Sequence, residues 1–382
     1  MHSNIDEARP RRLADGAGTG EAKVTTYRQA RRRERRFGYL LSFPALLGLF
    51  MFLVLPFLMA VVLSFSDQRL LSPNQAEWVG LRNYDRLLSV SWLVQEAERS
   101  ELGEVVRTAE GEPEFPALRT LLRGDPAYRE YREFTSWQWG EKRYVLLAKD
   151  PRFIQSFLNT LLFVMLVVPL QCGLALGLAL LINRQLRGIS VFRAIFFSPV
   201  VTSIVVVSIV WTFLYHRDVG VLNHYLQALT FGLVGPIDWL GDPDWAMPSI
   251  VIMSAWQACG VQMLIFLAGL QGISQDLYEA AELDGAGRWS QFWNITLPGL
   301  RNTLVFVILS TTVQAFGLFT QVDVMTGGGP QGSTSTVMFH AVAKGFREQD
   351  IAYGSAVSVV FFLVILLIAL LQKKFFDARE AK

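Results

Sequence analysis

Charged residues are scarce in this chain: they make up 18% of its 382 positions, whereas hydrophobic residues make up 52%. About a quarter of the residues in an ordinary soluble domain are charged, so this composition excludes a typical soluble protein. Only two cysteines occur, Cys172 and Cys259, and both lie in apolar stretches, which excludes a disulfide framework or a cysteine-based zinc site. The pattern G-x-x-x-x-G-K-[ST] is also missing, so the chain has no phosphate-binding loop of that type. We therefore expect no catalytic residue, no metal site and no cofactor in this chain.

Six runs contain no charged residue, and each exceeds the roughly 20 residues that a helix needs to cross about 30 Å of hydrocarbon. The runs are 37–66, 153–183, 194–216, 245–275, 302–322 and 351–372. Core helices of soluble proteins rarely stay uncharged for so long, because one of their faces meets water. The sequence predicts an all-α integral membrane protein with six transmembrane helices: the first at 37–66 and the other five within 153–372.

Positive charges predict which side of the membrane each loop occupies. Residues 1–36 contain ten Lys or Arg, five of them in the run that ends at Arg36, directly before the first apolar run. Lys and Arg favour the cytoplasmic side, so we expect a basic cytoplasmic tail at 1–36. Six spans return the tail 373–382 to the same side. The loop 183–193 agrees with three arginines, whereas 217–244 has one arginine against four aspartates.

The loop at 67–152 is much longer than the others. It mixes charged residues with four tryptophans, a content that argues against disorder. We expect an external insertion domain between the first and second spans, with short helices at 92–107 and 117–134. Downstream, Trp239 and Trp245 in the segment 236–248 suit the headgroup level of the membrane.

A motif lies between the fourth and fifth runs. Its residues are Glu279, Ala280, Ala281, Gly285, Ile295, Leu297 and Pro298, with the spacing EAA-x3-G-x9-I-x-L-P. The topology predicts that this loop, 272–300, is cytoplasmic. We expect a helix over 275–284, a break at the glycines and a second short helix over 288–294. Thr296 is expected as the N-cap of the fifth span, with Pro298 in its first turn.

With this motif the chain resembles the permease subunits of ABC importers. Further stretches resemble the carbohydrate branch of these importers, the maltose-type, binding-protein-dependent systems: 78–84, 150–153, 159–160, 284–287 and 326–330. The resemblance covers roughly 39–88 and 149–376. It implies that the loop is a cytoplasmic knob that couples to an ATPase through Glu279, Ala280, Ala281, Asp284, Gly285, Ile295, Leu297 and Pro298.

The resemblance also implies the partners. The chain would hydrolyse nothing itself and would join two ATPase subunits, which bind ATP and Mg, and a second permease subunit. An external solute-binding protein would deliver the carbohydrate. The assembly would lie in the lipid bilayer of a bacterial or archaeal cytoplasmic (inner) membrane as a multi-pass protein, and nucleic acid is not an expected partner.

Polar and aromatic residues of the fourth and fifth runs are candidates for the substrate pathway. Polar groups inside a span are costly unless they face a cavity or another helix, and the corresponding helices of maltose-type permeases contribute the substrate site. The candidates are Ser254, Trp256, Gln257, Thr311, Gln314, Phe316 and Phe319. Packing between helices is an alternative role for the same residues.

Three other functions stay open on the sequence. The importer could carry glycerol phosphate or another polyol-like solute. A secondary transporter would usually have internal repeats or charged residues in its spans, and neither is found here. A membrane sensor working through its external domain would have no use for the coupling motif.

Overall fold

The computed structural model describes residues 38–72, 75–100, 104–108, 111–183 and 188–377, so the predicted tail 1–36 lies outside the described residues. The chain divides into two units, residues 1–59 and 60–382. The helices before the coupling motif are α1 (Gly38–Leu63), α2 (Arg82–Leu88), α3 (Leu118–Gly124), α4 (Pro151–Ile182), α5 (Ile189–Val201), α6 (Ile204–Leu214), α7 (Val221–Leu229) and α8 (Pro243–Gln271). The later helices are α9 (Gln275–Leu283), α10 (Arg288–Gly299), α11 (Arg301–Phe316), α12 (Thr320–Met325), α13 (Val337–Val342) and α14 (Ile351–Asp377).

Four described helices, α1, α4, α8 and α14, are long and apolar enough to cross a membrane. Two further stretches qualify only as bent pairs: α5 with α6, at 99°, and α10 with α11, at 68°. The described residues thus contain four spans, or up to six if each bent pair is one span. The prediction of a helical membrane protein is confirmed at this level.

Two long helices begin with the same Asp-Pro signal. The carboxylate of Asp150 accepts a hydrogen bond from the Phe153 amide at 3.1 Å, and Pro151 occupies the first turn of α4. Asp242 likewise accepts from the Asp244 amide at 2.9 Å before Pro243 of α8. In each case the carboxylate pairs an amide that the first turn leaves free, and proline suits a position that needs no N–H donor.

The helices α4 and α8 pack along each other and form the centre of the larger unit. Small side chains of α4, Ala175 and Ala179, are fully buried against Met263 and Phe266 of α8. Gly260 of α8 lets α5 approach closely, since a Cβ atom at this position would lie 2.5 Å from the carbonyl oxygen of Phe196. Small residues at such contacts allow the helix backbones to come together.

The segment between α1 and α4 contains a three-stranded antiparallel sheet of β1 (Val90–Glu96), β2 (Arg132–Trp139) and β3 (Lys142–Ala148) in the order β1-β3-β2. The expected helix at 92–107 is therefore wrong, and so is the all-α prediction for this segment. The expected helix at 117–134 is present only as α3, and β2 follows it. Side chains alternate along β3, with Val145 and Leu147 buried and Tyr144 and Leu146 half-buried, which is the period of a strand. Gly140, with φ of +63°, supplies the tight turn into β3.

Ser89 and Lys149 lie side by side where the sheet leaves and rejoins the helices, because the Lys149 amide donates to the Ser89 carbonyl at 3.2 Å. One face of the sheet is buried. The other face is aromatic and exposed: Trp137 lies parallel to Tyr144 at 5.9 Å, and Trp92 meets Trp137 edge-on at 5.3 Å.

Candidate coupling loop and translocation path

The coupling loop, residues 272–300, is a pair of helices joined by a glycine turn. Ser274 caps α9 by accepting a hydrogen bond from the Asp276 amide at 3.3 Å. Gly285 then adopts φ of +78°, and the Ala286 amide donates back to the Ala281 carbonyl at 2.8 Å, which closes the end of α9. Glycine suits this left-handed position because it has no Cβ atom. The predicted helix over 275–284 and the break after it are confirmed.

The side chains of the motif divide into exposed and packed groups. Glu279, Ala280, Asp284, Gly285 and Pro298 are exposed, whereas Ala281, Ile295 and Leu297 are half-buried. Within the described residues, Glu279 and Asp284 make no ion pair, so both carboxylates are available to a basic partner. The motif thus presents small and acidic residues outwards, and Leu277 and Leu283 of the same helix are exposed beside them.

Thr296 is not the N-cap that the sequence suggests. The helix α10 continues through Thr296 with a wider π-helical turn at Phe292–Thr296, and the bend comes at Leu300 instead. The Thr296 hydroxyl is buried and bonds to the phenol of Tyr278 at 2.9 Å. Thr296 has helical backbone angles, with φ of −64° and ψ of −52°, so it lies inside α10 and does not cap the next helix. The second short helix is also longer than predicted.

A groove of about 310 Å³ lies beside the break between α5 and α6, and we call it the aromatic groove because Trp211 and Trp256 are in its lining. Trp256 lines it and contacts Trp211 of α6 with ring centroids 5.4 Å apart. Gln257 donates from its side-chain amide to the Pro199 carbonyl at 3.3 Å. The structure therefore brings the two predicted residues Trp256 and Gln257 together with Pro199 and Trp211, which the sequence reasoning missed. Pro199 followed by Thr202 and Ser203 inside an apolar run was the available signal.

The other pathway candidates are distributed around the packed helices. Thr311 is buried and accepts a hydrogen bond from Gln262 of α8 at 3.3 Å. Phe316 is buried against Phe361, with ring centroids 5.9 Å apart. Ser254 is buried, and its hydroxyl has no hydrogen-bond partner in the described part of the chain. Gln314 is exposed. Phe319 is half-buried beside Phe339 at 6.4 Å.

Asp150 ties three helices together where α4 begins. Its carboxylate bonds to His340 of α13 at 3.1 Å and accepts from Tyr353 of α14 at 2.6 Å. Burial acts to raise the pKa of Asp150, but the bonds and charge of His340 and the Tyr353 hydroxyl outweigh it and leave the pKa well below the usual range. The ionised carboxylate is thus the stable form, and its hydrogen bonds connect the ends of α4, α13 and α14.

A charged cavity of about 800 Å³ opens next to Asp150. Lys149, which is one of its lining residues, bonds to Asp85 at 2.6 Å and to Glu130 at 3.2 Å. The hydrogen bond to Lys149 lowers the pKa of Asp85, and the same bond raises the pKa of Lys149. Five arginines of the lining have no ion pair within the described residues: Arg69, Arg82, Arg129, Arg132 and Arg152.

The stretches that resemble the carbohydrate branch contact one another or the helix ends. Asn159 of α4 donates to the carbonyls of Gly332 and Ser335 at 2.8 and 3.0 Å, which holds the loop that follows 326–330. Asn83 donates to the carbonyls of Ser64 and Ser66 at 2.9 and 2.8 Å, just after the last turn of α1. These polar residues pair backbone groups that would otherwise be buried without partners.

Comparison with known proteins gives a consistent family. The family model described as "Binding-protein-dependent transport system inner membrane component" matches residues 145–382. The lactose transport system permease protein of Rhizobium radiobacter is 37% identical over 248 residues, which cover 64% of this chain and 82% of the relative. The trehalose/maltose transport system permease protein of Thermococcus litoralis is 35% identical over 227 residues, or 59% of this chain and 76% of the relative.

A further relative, the sn-glycerol-3-phosphate transport system permease protein of Yersinia enterocolitica, is 30% identical over 63% of this chain and 80% of its own length. Among solved structures, a bacterial ABC transporter involved in the import of the acidic polysaccharide alginate has a similar fold. Its TM-score is 0.63 at 18% identity, covering 93% of this chain and 99% of that chain.

Proposed function

Because the chain belongs to the family of binding-protein-dependent transport system inner membrane components, we propose that it forms half of the translocation pathway of an ATP-driven sugar importer. It is a membrane transport subunit rather than an enzyme. The loop between α8 and α11 carries this proposal, since Glu279 and Ala280 are exposed at the spacing that the sequence resemblance associates with an ATPase partner. Relatives named for lactose and for trehalose/maltose transport support a sugar as the substrate.

The proposed assembly contains two ATPase subunits, a second permease subunit and an external binding protein. Gentle detergent extraction of the tagged chain from its native cells, followed by mass spectrometry, should recover a P-loop ATPase and a second membrane subunit with an EAA loop. Uptake of labelled lactose and maltose by those cells should then fall at least about tenfold with Glu279→Lys, since the charge reversal places like charges together at the docking face. A chain recovered alone, with uptake unchanged by Glu279→Lys, would favour a sensor or a secondary transporter.

An importer of glycerol phosphate is the second candidate. It is favoured by the relative from Yersinia enterocolitica and by the five arginines of the charged cavity that have no ion pair among the described residues. Competition separates the two: unlabelled glycerol 3-phosphate should leave disaccharide uptake unchanged in a sugar importer, and should itself be taken up if the second candidate is right.

We also propose a topology of six spans with both termini in the cytoplasm, in which each bent pair is one span. The loop 272–300 would then be cytoplasmic and the sheet external. Both native cysteines are buried, so single cysteines introduced elsewhere report accessibility without removing them. Glu141→Cys should react with an impermeant maleimide on intact cells or spheroplasts, and Glu282→Cys only after permeabilisation. The reverse pattern would overturn the topology.

The sheet is proposed to help the external binding protein dock. Its exposed aromatic face, with Trp92, Trp137 and Tyr144, motivates this hypothesis. Since Ser89 and Lys149 are neighbours, residues 90–148 can be replaced by a short glycine linker with little disturbance of the helices. Transport should fall while basal ATPase activity of the complex persists. Wild-type transport after the deletion would remove the sheet from the docking surface.

A further inference from the structure

The coupling loop contains a contact that its motif does not specify. The phenol oxygen of Tyr278 lies 2.9 Å from the hydroxyl oxygen of Thr296, which in turn donates to the Gln291 carbonyl at 3.4 Å. Thr296 is 5% exposed, so this chain of hydrogen bonds lies inside the loop. Because the Thr296 proton is used on Gln291, the Tyr278 hydroxyl acts as the donor to Thr296.

Tyr278 stands directly before Glu279 but points to a different side of α9, and it lies nearly opposite Ala280, two positions further on. Successive side chains of a helix differ by about 100° in direction, so one turn of α9 serves two surfaces. Glu279 and Ala280 are exposed, whereas Tyr278 is half-buried against α10. A partner that pushes on the exposed face therefore pushes the Tyr278 side of α9 towards Thr296.

A second contact fixes the same end of the loop. Ile273, just before α9, lies against Gly299 at the end of α10. A Cβ atom built on Gly299 would lie 2.8 Å from the Cδ1 atom of Ile273. The glycine turn at Gly285 joins the two helices at the opposite end and is flexible by composition. Among the described residues, the bond between Tyr278 and Thr296 is the hydrogen bond that joins the middle of α9 to α10.

The contacts that transmit motion continue from α10 to α11 and α8. The helix α11 starts directly after Leu300, at the 68° bend. Leu300 is fully buried, and with Thr303 it contacts Gly269 of α8. A displacement of α10 is thus passed on to α11, which contains Thr311, and to the end of α8.

We propose that Tyr278 is a positioning residue for energy coupling, whose hydrogen bond to Thr296 makes α9 and α10 move as one body. The inference rests on the proposed function, since it assumes that an ATPase acts on α9. Loss of the bond leaves the docking residues in place and lets α9 move without α10. ATP hydrolysis then continues while less of the motion reaches α11.

The test uses the intact complex with its native partners, reconstituted in proteoliposomes with whichever labelled disaccharide, lactose or maltose, the wild type takes up. Tyr278→Phe and Thr296→Val each remove one hydroxyl with little change in shape. Tyr278→Phe should lower the sugar transported per ATP hydrolysed by about three- to tenfold, which corresponds to a single hydrogen bond. Thr296→Val also removes the bond to the Gln291 carbonyl and should lower the ratio by at least as much. The double variant should be no worse than Thr296→Val alone, because both changes remove the same bond between Tyr278 and Thr296.

Two variants serve as controls. Thr296→Ser keeps the hydroxyl and should stay within about twofold of the wild type. Tyr225→Phe removes an exposed phenol in α7 and should leave the ratio unchanged. All variants should retain the ATPase subunits on purification, and their binding-protein-stimulated ATPase activity should stay within about twofold of the wild type.

Several results would overturn the inference. They are a wild-type transport ratio in both Tyr278→Phe and Thr296→Val, additive losses in the double variant, or loss of the ATPase subunits from Tyr278→Phe. The last result would make Tyr278 part of the docking surface. A wild-type complex that hydrolyses ATP without taking up any sugar would instead overturn the proposed function, and this outcome is visible before any variant is made.

Discussion

The helices α8 and α14 are both long enough to cross a membrane, yet they differ in an instructive way. The most apolar window of α8 has a mean hydropathy of 1.8 and is 61% buried within the subunit, whereas that of α14 has 2.9 and is 28% buried. In a soluble protein the more hydrophobic helix would be the more buried one. Lipid tails solvate leucine as well as a protein interior does, so a strongly apolar membrane helix gains little by being buried inside the subunit. The buried polar residues Ser254 and Gln262 mark α8 as an interior helix.

The contrast also exists within α14 itself. Its first turns are buried, with Ala352, Tyr353 and Val357 all fully covered. From Phe362 to the end of α14 all five leucines are exposed: Leu363, Leu366, Leu367, Leu370 and Leu371. Within this subunit, α14 is therefore held mainly at the end where Tyr353 meets Asp150.

The largest effect is expected from overpacking α8. Gly260→Leu would place a Cβ atom 2.5 Å from the Phe196 carbonyl oxygen and 3.2 Å from the Phe197 Cα atom, so α5 must move away. Overpacking costs about 1–3 kcal/mol, and more where backbone has to shift. The melting temperature of the purified complex should fall steeply. Gly177→Leu on α4 is the control, since a Cβ atom there meets nothing within 4 Å. Equal losses in both variants would contradict the close contact.

Truncation of apolar side chains should separate the two helices next. Met263 on α8 is 0% exposed and Leu363 on α14 is 55% exposed. Met263→Ala should destabilise the complex by about 2 kcal/mol or more through the cavity it leaves, whereas Leu363→Ala should cost less than about 0.5 kcal/mol because lipid fills the space. Thermal unfolding of both variants in nanodiscs measures the difference. Similar costs would mean that α14 is as tightly packed as α8.

Asp150→Asn tests the attachment of α14. Asparagine keeps the cap of α4 but weakens the bonds to His340 and Tyr353, at a cost of about 1 kcal/mol. The pKa of Asp150 is lower in the folded than in the unfolded protein, so its carboxylate stabilises the fold at pH values above the unfolded pKa, which is near 4. This stabilisation is lost as the pH falls from about 4 towards the folded pKa. The difference in melting temperature between Asp150→Asn and the wild type should thus be constant between pH 6 and 5 and shrink below about pH 4. Melting curves of both proteins across this pH range test the prediction. A difference in melting temperature that grows as pH falls would mean that the pKa of Asp150 is not lowered by folding.

Trp256 should affect transport rather than stability. Although it belongs to the interior helix α8, it is 44% exposed and lines the aromatic groove. Trp256→Ala should raise the KM for sugar uptake about three- to tenfold, as expected for the loss of an aromatic contact, with the melting temperature nearly unchanged. Trp245→Ala, on the same helix at 41% exposure, should leave KM unchanged. A change in stability alone would assign Trp256 to packing.

The sequence was most informative where one physical requirement dominates. Uncharged runs locate the membrane helices because a charge in hydrocarbon is costly. The helix caps at Asp150-Pro151 and Ser274 follow an equally simple rule, since free amides need acceptors, but they were not predicted. The glycine turn of the coupling loop was predicted for the same kind of reason, since Gly285 alone suits its φ of +78°. The ATPase-coupling role of the loop remains a prediction.

The predictions from sequence failed where contacts between distant parts of the chain determine the local structure. Helices were expected at 92–107 and 117–134, although the alternating side chains of 132–148 and Gly140 form a hairpin signal. The bends at Thr202 and Leu300 were not predicted, because an apolar run looks the same whether its helix is straight or broken. Thr296 matched the rule for an N-cap but is bound by Tyr278, which lies 18 positions earlier in the chain.

The break between α5 and α6 has a consequence for hydration. Thr202 is extended, so among the last carbonyls of α5 that of Pro199 accepts from the Thr202 amide at 3.3 Å, and the helix provides no further amides beyond it. The side chains of Gln257 and Thr202 reach two of these carbonyls, those of Pro199 and Ser198, each at 3.3 Å. Backbone groups left without partners in hydrocarbon cost several kcal/mol each, so such a break is stable only against protein or water. If this bent pair crosses the bilayer, the side chains of Gln257 and Thr202 do there what water does for a broken helix outside a membrane, so replacing either of them would leave a lone pair of a backbone carbonyl to be hydrated.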